Sequence, residues 1–205
     1  MVKNFFKNSI RNMKRQSGYV ALNMAGLSIG LTCFLLISLY VIHELSYDRF
    51  HRNYENTYRL KGVGRMAGGE LNQAVTAAPM AQAMLNDYPE VVRAARVRGM
   101  GDWLIGYGEN KFNEDGMLFA DSTFFDVLDF RFLKGDPTTA LVRPRSMVMT
   151  EEYARKYFGD AEPLGQKVTV ESDTVLYTVT GVIQNVPDNS HLQFDILASL
   201  STYPG

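Results

Sequence analysis

From Gln16 to Ile42 the chain runs 27 residues without a charge, and Val20–Ile42 is mostly apolar all round rather than along one stripe. At about 1.5 Å per residue, 23 residues reach roughly 34 Å, enough to cross a hydrocarbon core of about 30 Å. The pattern predicts an uncleaved transmembrane helix. A signal peptide would have a shorter apolar region ending in a small-x-small site, whereas Tyr40-Val-Ile-His-Glu44 follows here. Ahead of the span, a helical period puts Phe5, Phe6, Ile10 and Met13 on one side and Lys3, Lys7, Arg11 and Lys14 on the other. This pattern predicts a short basic amphipathic helix on the membrane surface, with an irregular positive cluster as the alternative. Within the span Asn23, Gly26, Gly30 and Cys33 recur on one stripe, which would let another helix approach closely or else faces lipid.

Beyond the span the period shifts toward strands and short helices. Glu44–Phe50 is expected to prolong the helix outward, and Tyr58–Val63 to begin a strand. Gly68-Gly69 reads as a turn into a second strand ending near Val75. Pro79 suits the first turn of a helix with Met80, Ala83 and Met84 on one face, ended by Pro89. Val91–Val97, Leu104–Tyr107 and Met117–Ala120 read as short strands. Asp121 is expected to cap a brief helix through Phe125 and Val127, with Phe130–Leu133 extended after it. Ser146–Met149 reads as a strand, Thr150 as an N-cap, and Glu151 and Glu152 as complements to the positive end of a helix that stops at Gly159. Gln166–Val170, Leu176–Val186 and Leu192–Leu197 complete the strands, with Pro187–Ser190 as a turn. The expected fold is α+β: residues 1–17 a cytoplasmic basic amphipathic helix, 18–43 a transmembrane helix, and 44–205 one mixed domain.

Charge gives this order a direction. Residues 1–43 hold Lys3, Lys7, Arg11, Lys14 and Arg15 and no acid, a total of +5 within a chain whose net charge is -1. The remainder is therefore acidic overall. Positive charge before a span, with Glu44 and Asp48 after it, predicts a cytoplasmic N-terminus and an outer domain. Lys3, Lys7, Arg11, Lys14 and Arg15 are the expected contacts with the bilayer surface. The single cysteine, Cys33, allows neither an internal disulfide nor a thiolate zinc cluster.

Motifs for chemistry are sparse. No Gly-Lys dipeptide occurs, so no Walker A loop can form. Gly62-x-Gly64 and Gly99-x-Gly101 are incomplete dinucleotide fingerprints and read as turn glycines. His43, His51 and His191 lack ligand spacing and read as solvated or structural. The G-x-S-x-G string Gly26-Leu-Ser-Ile-Gly30 lies inside the apolar span rather than at a strand-to-helix turn and so forms no nucleophile elbow, and Cys33 lies in the same span, where a thiolate is disfavoured. Trp103 reads as packing or as an exposed loop anchor. The expectation is a non-enzyme with no catalytic, metal or cofactor residues and, given the acidic outer part, no nucleic-acid partner.

A family resemblance supplies what the motifs do not. Phe6-Lys-Asn-Ser-Ile-Arg-Asn-Met13, Leu22-Asn-Met-Ala-Gly-Leu-Ser-Ile-Gly30, His43-Glu-Leu-Ser-Tyr-Asp-Arg-Phe-His51 and Tyr58-Arg-Leu60 follow one another in the order found in bacterial ABC transporter permeases of the FtsX/MacB type. Phe124-Phe-Asp-Val-Leu-Asp-Phe130, Leu133-Lys-Gly-Asp-Pro137, Met149-Thr-Glu-Glu-Tyr-Ala154, Lys156-Tyr-Phe-Gly-Asp160, Pro163-Leu-Gly165, Thr178-Val-Thr-Gly-Val182 and Val186-Pro-Asp-Asn-Ser-His191 resemble the MacB-like periplasmic core domain. The resemblance implies a permease in the bacterial inner membrane whose periplasmic domain follows the first span. Its implied partners are the lipid bilayer, a cytoplasmic ABC ATPase subunit, a second permease copy or homologue, and a periplasmic adaptor or cargo. Substrates across such permeases include macrolides, peptides and lipoproteins, and some members signal to cell-wall hydrolases instead. The later spans of such permeases are missing, so a fragment with an incomplete domain is expected. The alternative is a single-pass membrane sensor or scaffold with an extracytoplasmic binding domain.

Overall fold

A long apolar stretch forms one helix, α1 (Ser17–Glu44), long and apolar enough to cross a membrane and with no residue buried by protein. The computed structural model describes residues 11–66 and 69–203. Residues 11–15 are helical and exposed, and Gln16, at φ -115 and ψ 42, separates them from α1. The remainder of the expected amphipathic helix, including Lys3 and Lys7, lies outside the described residues. The chain divides into two compact units, one ending at Tyr47 and the other beginning at Asp48.

The expected outward extension of the helix through Phe50 does not occur. Ser46 Oγ donates to the His43 carbonyl at 2.6 Å, and the chain turns through residues 45–50. Asp48 adopts a left-handed φ of 56°, incompatible with continued helix.

In the second unit the first strands are β1 (Gly62–Met66) and β2 (Gly69–Gln73), an antiparallel pair by themselves. They start later and end earlier than the sequence predicts, and part of the expected Gly68-Gly69 turn lies outside the described residues. A helix, α2 (Met80–Asp87), begins after Pro79 and is finished by Tyr88, just before Pro89. None of its residues is buried.

The rest forms a mixed sheet with two apolar faces. Its strands are β3 (Val97–Gly99), β4 (Trp103–Tyr107), β5 (Asn110–Glu114), β6 (Met117–Ala120), β7 (Phe132–Gly135), β8 (Ser146–Thr150), β9 (Lys167–Val170), β10 (Ser172–Ile183) and β11 (Ile196–Ser199). The order is β3-β6-β11-β8-β10-β9-β4-β5, with β7 also paired to β10. The β6–β11 and β8–β10 pairs are parallel and the others antiparallel. Two short helices, α3 (Phe124–Val127) and α4 (Glu151–Phe158), join the strands.

Strand alternation sorts the core. Met147, Met149, Ile196, Ala198, Met117 and Phe119 pack with Ala154, Tyr157 and Phe158 of α4. Their neighbours Val148, Leu197 and Ala120 pack with Phe124, Phe125 and Phe194 on the opposite face. A bulge in β10 between Val179 and Gly181 turns Val179 and Val182, three apart, to one face and Ile183 to the other. Thr180, the extra residue, uses its hydroxyl to donate to the Ala140 and Met147 carbonyls at 2.7 and 3.0 Å.

Two further local expectations change. The strand foreseen from Val91 shrinks to β3 because the Arg96 main-chain N–H donates to the Asp121 carboxylate at 2.9 Å instead of joining a ladder. Asp121 spends that carboxylate on Arg96, so α3 begins after Thr123 without a side-chain cap. Thr150 does cap α4, accepting from the Tyr153 amide, and Gly159 ends that helix at φ 59°. Trp103 is buried in the sheet core.

Candidate functional site

Three turns meet at Asp48–Arg52, the first residues of the second unit. The Asp48 amide donates to the Asn189 carbonyl at 2.9 Å. Its carboxylate accepts from the His191 amide at 3.0 Å and from Ser190 Oγ at 3.3 Å, and pairs with His191 Nδ1 at 2.8 Å. Burial alone would raise the Asp48 carboxyl, but the His191 and Ser190 contacts outweigh it and hold the group below its ordinary range. The left-handed backbone at Asp48 is held by these bonds to residues 189–191.

The second anchor lies four residues on. Arg52 donates through its amide to Asp129 Oδ2 at 2.7 Å and through Nε and a terminal nitrogen to Oδ1 at 2.8 and 2.6 Å. Burial acts to raise the Asp129 carboxyl, but these bonds and the Arg52 charge pull it below the usual range. His51, only 4% exposed, sets Nδ1 against the Asp129 backbone and packs against the Phe50 and Phe130 rings, at 4.0 and 5.4 Å between centroids. Phe130 stacks on Phe124 and meets Phe194 edge-on, so the anchor continues as ring contacts into the second core. Carboxylate–guanidinium pairs fix direction as well as distance, and aromatic contacts resist shear. The Asp48–Arg52 segment is thus held at two points, on the turn before β11 and on the turn before β7.

A second cluster sits at the sheet edge. Glu114, at the end of β5 and 3% exposed, accepts from Lys156 Nζ at 2.7 and 3.0 Å and from the Tyr157 hydroxyl. Lys156 also lies over the Phe112 and Tyr153 rings at 4.7 and 4.6 Å. The Tyr153 hydroxyl hydrogen-bonds with Asp195, whose carboxyl is pushed up by burial and by Glu152, Glu114 and Asp115. Burial and the neighbouring carboxylates likewise raise the Tyr153 and Tyr157 hydroxyls. These groups pin the outermost strand to α4 and to the entry of β11. Among the described residues no group of three or more His, Cys, Asp or Glu is placed to hold a metal ion.

The residues singled out from the sequence sit elsewhere. Arg11, Lys14 and Arg15 are exposed on the residues preceding α1. Asn23, Gly26, Gly30 and Cys33 are exposed along α1, with open space around both glycines. Sequence reading missed Asp48, Arg52, Asp129 and Glu114. Asp48 and Asp129 do fall inside quoted family segments, as do His51 and His191. That was the available signal, but their pairing spans 77 to 143 residues and is invisible locally.

Comparison with known proteins places this geometry. The sequence profile of the MacB-like periplasmic core domain matches residues 20–204. Among solved structures, a domain described as that of a permease from Porphyromonas gingivalis is similar at 27% identity and a TM-score of 0.61, covering 70% of this chain and 62% of that one. The periplasmic region of MacB from Actinobacillus actinomycetemcomitans is similar at 15% identity and a TM-score of 0.48, covering 69% and 64%. The extracellular domain of the noncanonic ABC-type transporter YknZ from Gram-positive bacteria is similar at 20% identity and a TM-score of 0.39, covering 53% of each chain. The chain thus spans less than two thirds of each of these relatives. No curated protein matches it. With a profile match running from inside the long apolar helix to the last strand and beyond, the chain belongs to the MacB-like periplasmic core domain family of ABC-transporter permeases.

Proposed function

We propose that the chain is the membrane permease component whose periplasmic domain couples ATP-driven motion of a separate ATPase subunit to export or mechanotransmission. One observation carries this reading. The segment that follows the apolar helix is fixed to the sheet at two separated points, Asp48 to His191 and Arg52 to Asp129. A double anchor makes displacement of the chain at Asp48 displace the two turns that lead into β11 and β7. In this reading residues 1–17 lie on the cytoplasmic leaflet through Lys3, Lys7, Arg11, Lys14 and Arg15. Residues 18–43 span the inner membrane and 44–205 form the outer domain. Asn23, Gly26, Gly30 and Cys33 face a further permease helix, and a second permease copy and a periplasmic adaptor or cargo complete the assembly.

The deciding experiment is gentle purification from native membranes with mass-spectrometric identification of what accompanies the chain. A Walker A ATPase in stoichiometric amount is expected. Recovery with a signalling kinase and no ATPase would replace this reading by the sensor or scaffold. Topology gives a separate prediction: a reporter fused after Gly205 should be active outside the cytoplasm, because positive charge precedes the span. Activity in the cytoplasm would reverse the orientation.

A further inference from the structure

The two anchors differ in how they respond to protons. His51 Nδ1 stands 3.0 Å from the Asp129 N–H and 3.1 Å from the Asp129 carbonyl oxygen. With Nδ1 unprotonated the ring accepts from the amide. Once Nδ1 carries a proton it can donate only to the Asp129 carbonyl, the amide loses its acceptor, and a full charge sits on a ring 4% exposed and packed against Phe50 and Phe130.

We propose that His51 is an acid-sensitive latch, holding the Asp48–Arg52 segment on the turn before β7 while its ring is neutral and loosening that hold when the ring takes a proton. The charged groups that bear on it are Asp48 on its own turn, with His191 on that carboxylate, and Asp129 from the turn before β7, with Arg52 on that carboxylate. Burial disfavours the charged ring more strongly than the hydrogen bond to the Asp129 backbone and the two carboxylates favour it, and the imidazole is held below its ordinary 6.5.

The sign follows from that direction. A histidine favoured neutral in the fold contributes fully above 6.5, and its contribution is lost as pH falls below that value through the depressed one. Asp48 and Asp129 are both held below 3.8 and stay ionised across this window. Acid therefore loosens the Asp129 anchor, while the Asp48 carboxylate keeps its charge and its bond from the His191 amide. The inference rests on the coupling reading only for the latch's task, and the test below reads the latch itself.

Amide hydrogen exchange of the full chain in detergent micelles, corrected for the intrinsic pH dependence, measures each anchor separately. Between about pH 7.5 and pH 5.0, protection of the Arg52 and Asp129 amides is expected to fall ~10-fold, while that of the His191 amide is kept. His51→Asn, which offers an acceptor oxygen near the position of Nδ1 and no titrating group, should hold protection constant. Unchanged protection in the unmodified chain overturns the latch. An equal fall in His51→Asn also overturns it, because the titrating group would then be another. Ring nitrogen shifts of His51 in the unmodified chain keep the test open if the variant does not fold: a ring charged at neutral pH, or one that gains a proton with no change at Arg52 and Asp129, overturns it as well. Loss of ATPase association would leave all of these outcomes unaffected, so the two readings fail separately.

Discussion

Gly135→Ala is expected to lower the stability of the outer sheet by about 4 kcal/mol, combining the cost of a left-handed alanine with that of overpacking. Gly135 has φ 88°, and a Cβ there would stand 2.4 Å from the Thr180 carbonyl oxygen and 2.9 Å from Gly181 Cα. Both atoms are backbone in the β10 bulge. They have little room to retreat, because the Thr180 hydroxyl is already shared between the Ala140 and Met147 carbonyls. Gly181→Ala provides the comparison. Its Cβ would meet the Phe132 ring at 2.7 Å and a Val148 methyl at 3.3 Å, both side chains that can shift. A cost of about 1–2 kcal/mol is expected there. Trp103 is the only tryptophan and lies in the sheet core, so its fluorescence in a urea titration reports this unit within the full chain. Equal midpoints for Gly135→Ala and the unmodified protein would show that the β7–β10 junction relaxes freely.

The same junction shows which parts of the fold were legible. Ser146–Phe158 was read well because every signal is local: an apolar strand, a threonine cap three residues from the amide it accepts, acids in the first turn, and a terminal glycine. Met117–Ala120 and Leu104–Tyr107 were legible for the same reason. The Asn110–Glu114 strand was not foreseen. Its only apolar side chain is Phe112, and what holds its end is Glu114 bonded to Lys156 and Tyr157, 42 and 43 residues away. The helix expected through Phe50 fails on the same ground, because Asp48 is committed to His191, 143 residues on. β10 begins at Ser172, ahead of its apolar stretch, because a polar start can still pair with β9 across an irregular register. Apart from Arg52, the anchor residues lie in segments that carry the family resemblance. Their function as anchors depends on long-range pairing, which no window of sequence displays.

That dependence predicts the outcome at the sheet edge. Lys156→Met removes the cation from Glu114 and leaves a carboxylate in a site only 3% exposed. Breaking a buried pair by deleting one partner costs about 3–5 kcal/mol, and Lys156 itself is 34% exposed, so water can reach part of the site. A loss of about 2–3 kcal/mol is therefore expected, read by the Trp103 transition. The methionine keeps much of the apolar contact with Phe112 and Tyr153, which separates the charge effect from packing. Glu114→Gln in the same chain should recover most of the loss. The neutral amide can still accept from Tyr157 and has no charge left to strand. The pair energy is the non-additive part of this double-mutant cycle. Additive losses would mean that Lys156 holds the edge strand through its ring contacts alone, with Glu114 satisfied by Tyr157.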